Sequence, residues 1–494
     1  MFIGLDVGTS GCKASVMDEC GRLHYKAERI YRFCIPRAGW VELDPAVVWE
    51  NVKMVLKEIV EKGFQIRAIA VSSIGESVIP VDGEGNVLFN GITYLDTRGS
   101  DTVEKICKYV DSRVLHEKTG VPLNPMYTLS KMLWMKGHRP DVLEKAEYFF
   151  MFGDYIGWKL SGERMIDPSS ASRTMLFDAQ KLEWYYSLGE IFEIPLDKFS
   201  KVYPTGTVMG KILPLTAKET GLSEDVLIIL GCHDQCSALL GSGALQAGDV
   251  MAGEGSTESI NMIVNKESFC DTFFEKQLCF EPYLTPDLYI VPVGQLTHGT
   301  SIRWFAENIG FDFGVDGQRP GESEYQWANR CCADDCGELF FLPYLSKVKS
   351  MDRDNHALGV FVGIETSTRK AQMYRALLEG LAFESKVRFD LLTELGVSIR
   401  NITAAGGCSK SEIMMQMKAD VLQEKMQILE NSESGGIGLA MICAVSLGYY
   451  RNYAEAAERF VKIKKEYIPQ KDYSEKYRKY CMLSRAAKEL YRHF

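Results

Sequence analysis

The first thirteen residues hold the densest chemistry in the chain. Phe2-Ile3-Gly4-Leu5-Asp6 is an apolar run that ends in a carboxylate, and Val7-Gly8-Thr9-Ser10-Gly11-Cys12-Lys13 follows at once. A strand that turns through two glycines and two hydroxyls presents backbone N–H groups to an anion, and Lys13 adds a point charge for phosphate oxygens. Asp6 would repel phosphate directly; it makes sense opposite a hydrated Mg²⁺ that phosphates also hold. The same residues also fit a plain β-hairpin with a Gly/Ser turn.

Asp234 is a second carboxylate placed where an apolar strand, Val226–Leu230, gives way to a turn, Gly231-Cys232-His233. Beside a ligand hydroxyl, such a group can take the proton as the oxygen attacks phosphorus. It can equally cap a helix over Gln235–Leu240. His233 reads as a packed neighbour. Gly406-Gly407-Cys408-Ser409-Lys410-Ser411 stands between the strand-like Ile402–Ala405 and a helix beginning near Glu412. Two glycines there would let a flat group such as adenine approach the backbone; the competing reading, better on these residues alone, is a plain turn with Ser411 as helix N-cap. Gly435-Gly436-Ile437-Gly438 opens an apolar helix, for ligand contact or for tight helix packing. Glu76, Asp96 and Arg98 follow strands in the first half, where open α/β sheets place ligand contacts; surface ion pairing is the competing account.

The elements that must position these groups alternate between strand-like and helix-like segments, the pattern of an α/β protein. Asp44-Pro45 predicts a capped helix carrying Val48, Val52, Val55, Leu56 and Ile59, closed by Gly63 and followed by a strand over 66–72. Glu58 and Lys62 are spaced to pair across one turn. Asp249–Ala252, Gly253-Glu254-Gly255-Ser256-Thr257 and Ser259–Val264 repeat the strand–Gly-loop–strand grammar of the N-terminus, which suggests a degenerate internal duplication. With 494 residues the chain exceeds one ordinary core, and a split near residue 245 gives domains over 1–245 and 246–494.

A formal charge of −10 (56 basic, 66 acidic side chains) argues against a general nucleic-acid binder. The longest apolar stretch, 435–450, is shorter than the roughly 18–20 residues that span a bilayer, which predicts no membrane partner. Fourteen cysteines without a visible export signal suggest reduced thiols and a cytoplasmic location. Cys331, Cys332 and Cys336 lack the spaced pairs that zinc prefers. Lys462, Lys464 and Lys465 could form an interaction patch, but a solvated helix face is the expected reading.

Taken together, the phosphate-type loop, the acidic strand ends and the Gly-Gly-x-x-x-Ser segment resemble the FGGY family of carbohydrate kinases nearly end to end. Trp40–Pro45 is similar to the family's early Trp/Asp-Pro segment, and Tyr94-Leu95-Asp96-Thr97-Arg98 to its W-x-D-x-R element, with Tyr for Trp. Lys131–Trp134 resembles the core of one signature, and Gly359–Ile364 with Gln372–Glu379 resembles the second. The resemblance implies an α/β fold of two actin-like (ribonuclease H-like) ATPase domains flanking a central cleft. It implies ATP and Mg²⁺ as cofactors, and Asp234 as catalytic base. Gly8, Thr9, Ser10 and Lys13 would form the first phosphate loop. Gly255, Ser256 and Thr257 would form the second, where the family usually has Gly-Thr-Ser. Gly299, Gly406, Gly407 and Ser411 would line the nucleotide pocket. Asp6 and Asp234 would face the metal, and Glu76, Asp96, Arg98 and Asp234 the sugar.

Ile74-Gly75-Glu76 replaces the Met-His-Gly of xylulose kinases and matches only the Glu of the Arg-Glu in glycerol kinases. After Leu342–Ser346, Lys347–Ser350 replaces the usual Gly-Glu-Arg-x-Pro. The expected reaction is phosphorylation of a primary hydroxyl of a small sugar, a ketopentose such as xylulose, with glycerol or another polyol as the alternative. An ATP-hydrolysing switch protein on the same scaffold is the rival of another class. A homodimer is left open.

Overall fold

The computed structural model describes residues 1–295, 297–313, 317–345 and 358–493; the Lys347–Ser350 departure lies outside them. In chain order the strands used below are β1 (Phe2–Val7), β2 (Gly11–Met17), β3 (Leu23–Ile30), β4 (Ala68–Ser73), β5 (Val208–Lys211) and β6 (Leu227–Ile229). They continue with β7 (Asp249–Glu254), β8 (Glu258–Asn265), β9 (Glu281–Pro282), β10 (Leu288–Gln295), β11 (Asn401–Ala405), β12 (Met426–Leu429) and β13 (Ile463–Tyr467). The helices are α1 (Pro45–Glu61), α2 (Thr128–His138), α3 (Pro168–Ser172), α4 (Asp234–Gly241), α5 (Gly299–Asn308), α6 (Lys370–Thr393), α7 (Glu412–Leu422) and α8 (Ser434–Ser446).

Two compact units divide the chain. The first comprises 1–246, 263–291 and 433–462, the second 247–262, 292–432 and 463–494. They do not follow a single cut in the sequence, because two segments from beyond residue 245 pack into the first unit.

The first unit holds a six-stranded sheet in the order β5-β6-β4-β1-β2-β3. β1 pairs antiparallel with β2 and parallel with β4, which is parallel to β6. Ile3, Leu5 and Val7 are fully buried and share one core with Val48, Val52, Val55, Leu56 and Ile59 of α1. Asp44 caps α1 by accepting the Ala46 N–H at 2.8 Å, as its sequence predicts. Alternation along β1 puts Gly4 and Asp6 on the other face, where α8 packs. A Cβ on Gly4 would sit 2.6 Å from the Gly436 carbonyl, and one on Gly438 would sit 2.0 Å from that of Ser237 in α4. Gly436 and Gly438 therefore serve close helix packing.

A seven-stranded sheet runs β9-β10-β8-β7-β11-β12-β13. β7 pairs antiparallel with β8 and parallel with β11, which is parallel to β12. This repeats the arrangement around β1, so the duplicated grammar in the sequence corresponds to a duplicated sheet order. β13 corrects the reading of Lys462–Lys465 as a helix face. Ile463–Tyr467 is an edge strand antiparallel to β12, a place where exposed lysines discourage further pairing. Glu58 likewise differs from expectation. It accepts from Tyr25 (2.7 Å) and Arg29 (2.6 Å) on β3 rather than reaching Lys62, because α1 lies against that strand.

Candidate active site

Residues 6–13 form a plain β-hairpin turn, the alternative reading of this segment, where the resemblance expects a phosphate loop. Gly8 N–H donates to the Gly11 carbonyl at 2.9 Å, closing the turn between β1 and β2, and Asp6 stands opposite Lys13 in register. The turn borders a cavity of about 670 Å³ lined by Asp6, Gly8, Thr9, Ser10 and Lys13 together with Glu76, Tyr94, Arg173 and Asp234. All of these residues belong to the first unit.

Asp234 reaches this cavity because β6 can approach β4 closely. A Cβ on Gly231 would lie 1.9 Å from the Val71 carbonyl, so only glycine fits there. The chain then turns through His233 into α4, with Asp234 as the first helical residue. His233 occupies the N-cap position without a side-chain cap bond, so Asp234 is not the cap. Its side chain retains 29% exposure, enough to meet a ligand at a helix N-terminus that favours its negative charge.

Burial raises the Asp234 carboxyl above its ordinary range, against the pull of His233. Burial, then the charge of Asp234, pushes Asp6 up to about 6, while Ser72 and Lys13 oppose this. Ser72 donates to Asp6 at 2.9 Å.

A chain of buried charges backs the cavity. Arg173, just past α3, donates through Nε to Glu76 at 2.8 Å and lies 3.4 Å from Glu281 of β9. Glu281 Oε1 is 2.7 Å from His233 Nδ1, and His233 Nε2 is 3.2 Å from Asp234 Oδ1. Burial alone would lower the His233 pKa; Glu281 and Asp234 outweigh it and hold the imidazole at about 9. His233 is thus more than the packed neighbour its sequence suggested. Glu76 adopts φ 63°, a strained value for a non-glycine residue. Its carbonyl accepts from Thr128 Oγ1 at 2.8 Å and from Lys131 Nζ at 3.4 Å, both on α2.

Asp96 and Arg98 are placed elsewhere. Arg98 donates to Asp96 at 2.6 and 2.9 Å and to Glu42 at 2.8 Å, and its guanidinium lies 4.3 Å from the Trp40 ring. Their side chains are 1% and 0% exposed. The ion pair is therefore internal, neither a surface pair nor part of the cavity lining. It binds the Tyr94–Arg98 element to the Trp40–Pro45 segment, leaving Tyr94 to line the cavity.

In the second unit, the remaining candidates meet at one place. Gly299 N–H donates to the Gly255 carbonyl at 3.1 Å, and Thr300 N–H to that of Ser256 at 3.1 Å. Gly406 has φ 112°, and a Cβ there would lie 2.6 Å from the Glu254 carbonyl. Gly407 follows it, and Ser411 caps α7 by accepting the Met414 N–H at 3.3 Å while taking a bond from Asn329 at 3.0 Å. Ser256 and Thr257 are exposed.

Sequence reasoning missed Arg173 and Glu281. Arg173 meets Glu76 across 97 positions of sequence, and no local pattern encodes that contact. Glu281 left a trace, a lone carboxylate after the buried run Leu278–Phe280 and before Pro282.

The repeated sheet order is that of the two-domain actin-like fold, and in the first unit its strand ends carry a Gly-rich turn, a lysine and a partly exposed aspartate at a helix start. Residues 1–241 match the FGGY family of carbohydrate kinases, N-terminal domain, and residues 257–447 match its C-terminal domain. The chain is 25% identical to the xylulose kinase of Staphylococcus epidermidis, over 97% of this chain and 95% of that one. It is 26% identical to the glycerol kinase of Mycoplasmoides gallisepticum, over 95% and 93%. The crystal structure of gluconate kinase from Lactobacillus acidophilus superposes with a TM-score of 0.87 at 23% identity, covering 100% and 99%. The chain belongs to the FGGY family of carbohydrate kinases. It is a phosphotransferase that acts on a small sugar or polyol, and the family's phosphate donor is ATP. Among the described residues, no helix is long and apolar enough to cross a membrane.

Proposed function

We propose that the chain transfers the γ-phosphoryl group of ATP to a primary hydroxyl of a small uncharged ketose or polyol, a ketopentose such as xylulose foremost. The observation that carries this reading is the placement of Asp234. A partly exposed carboxylate at a helix start shares one cavity with the Gly8–Lys13 turn and with Glu76. Asp234 takes the proton of the acceptor hydroxyl as its oxygen bonds to phosphorus and ADP departs. Lys13 and the turn's N–H groups bind phosphate oxygens, and most of the acceleration comes from alignment and charge neutralisation. In the second unit, Gly255, Ser256, Thr257, Gly299, Gly406 and Gly407 serve the nucleotide, with Ser411 shaping that segment as a helix cap.

Asp6 and Asp234 offer the hard oxygen donors that suit Mg²⁺. Burial, and after it the charge of Asp234, raises the Asp6 pKa, and a divalent cation would relieve both. Bound there, Mg²⁺ would neutralise phosphate charge.

The cavity's charges favour a neutral acceptor. Arg173 is already shared by Glu76 and Glu281, so a sugar acid would find no unshared guanidinium. It would instead face Asp6, Glu28, Glu76 and Asp234, while Lys13 serves the donor phosphates and His233 is held between Glu281 and Asp234. Coupled assays of ATP consumption over pentuloses, hexuloses, tetritols, glycerol and gluconate test the reading. A neutral acceptor is expected to trigger ATP use and to leave as its phosphate ester. Acceptor-independent hydrolysis would support the switch protein instead, and gluconate as best acceptor would overturn the charge argument.

A further inference from the structure

Directly behind the Gly255–Thr257 loop lies a cluster of charged side chains with almost no exposure. β7 ends at Glu254 and β8 begins at Glu258, opposite each other in register. Lys418 of α7 places Nζ 2.6 Å from Glu254 Oε1 and 2.5 Å from Glu258 Oε1. His298, the residue before Gly299, puts Nε2 2.8 Å from Glu254 Oε2. Ser385 of α6 donates to Glu258, its Oγ 2.7 and 2.9 Å from the two oxygens. The Lys418, Glu254 and Glu258 side chains are at most 1% exposed.

Donor atoms of Glu254, Glu258 and His298 lie within 4.8 Å of one another, a spacing that would suit a cation. Lys418 already supplies that positive charge, and one oxygen of each carboxylate is committed to it. Burial pushes the Glu254 carboxyl up, yet Lys418 and His298 outweigh it and hold the group well below the usual carboxylate range.

Two apolar side chains would close a β-hairpin at less desolvation cost than this cluster, because buried ion pairs contribute little net stability. What the charges provide is geometry. A single ammonium grips both ends of the loop. Through His298 the same cluster reaches the start of α5, and Lys418 itself sits in the helix that follows Gly406–Ser411.

We propose that Lys418 is a positioning residue for the nucleotide: it fixes the Gly255–Thr257 loop and registers it against Gly299 and Gly406. The inference rests on the nucleotide role proposed above for these segments. Their own side chains are small, so their backbone geometry depends on what lies beneath them.

The test is the triple variant Glu254→Gln, Glu258→Gln, Lys418→Met, which removes all three charges at similar volume and strands none of them. ADP affinity is measured by titration calorimetry, with KM for ATP and acceptor measured in parallel. The triple variant is expected to unfold cooperatively, to lose roughly tenfold in ADP affinity, to show a roughly tenfold higher KM for ATP, and to keep the acceptor KM within about twofold. A folded triple variant with parental ADP affinity overturns the proposal. If the triple variant does not fold, Glu258→Gln decides, since Lys418 there keeps Glu254. About a threefold loss of ADP affinity supports the proposal and unchanged affinity overturns it. Parental protein that binds no ADP would refute the nucleotide role and this inference together. Parental binding with no change in the variant refutes this inference alone.

Discussion

Lys131 gives a sharp test of how the first unit holds Glu76. Its side chain is fully buried, and burial lowers its pKa from 10.5 to about 7, although Glu76 and Asp96 favour the charge. In the unfolded chain the amine keeps its ordinary value near 10.4. Between pH 7 and 10 the unfolded state therefore binds one proton more than the folded state. Stability attributable to Lys131 must rise with pH across that window and fall as pH drops toward 7. The slope approaches about 1.4 kcal/mol per pH unit once the folded amine has lost its proton, which gives roughly 2.3 kcal/mol between pH 7 and 9. Lys131→Met keeps the length and removes the proton. Urea unfolding of parent and variant at pH 7, 8 and 9 should show a stability difference that moves in the parent's favour by about that amount. The variant should also raise the acceptor KM, because the Glu76 carbonyl keeps only Thr128 as a partner. A difference that stays constant within about 0.5 kcal/mol from pH 7 to 9 would refute the reasoning.

Two further outcomes follow from close contacts at the site. Gly438→Ala drives a methyl toward the Ser237 carbonyl, 2.0 Å from the ideal Cβ. It should cost about 1–3 kcal/mol, seen as a lower melting temperature, because the α4–α8 contact has no room to give. Arg173→Met leaves Glu76 and Glu281 without their shared guanidinium, so the acceptor KM should rise by roughly tenfold or more while ADP affinity measured by calorimetry stays near parental.

Local signals in the sequence were legible where short-range chemistry decides the structure. The Asp44-Pro45 opening of α1, the turn after β1 and the start of a helix at Asp234 are each set by residues within a few positions of one another. The repeated strand–Gly-loop–strand grammar reports the duplicated sheet order for the same reason. What stayed hidden depends on distant partners. Asp96 and Arg98 carry the residue types of a ligand site, yet Glu42 and Trp40 draw them inward. Arg173 and Glu281 enter the site through contacts made only after the chain has folded. Nothing local in the sequence ties Glu254 to Glu258; Lys418, 160 positions or more away, bonds to both. Lys462–Lys465 misled because a charged edge strand and a solvated helix share a composition.

The central claim is that Asp234 removes the acceptor's proton, and Asp234→Asn tests it most directly. The substitution preserves shape and keeps a partner for Gln235, so the variant should fold and bind ADP as the parent does. Formation of the sugar phosphate, measured at saturating ATP and acceptor, should fall by about a hundredfold or more. A variant that retains phosphoryl transfer within about threefold of the parent would contradict the assignment of Asp234 as the base.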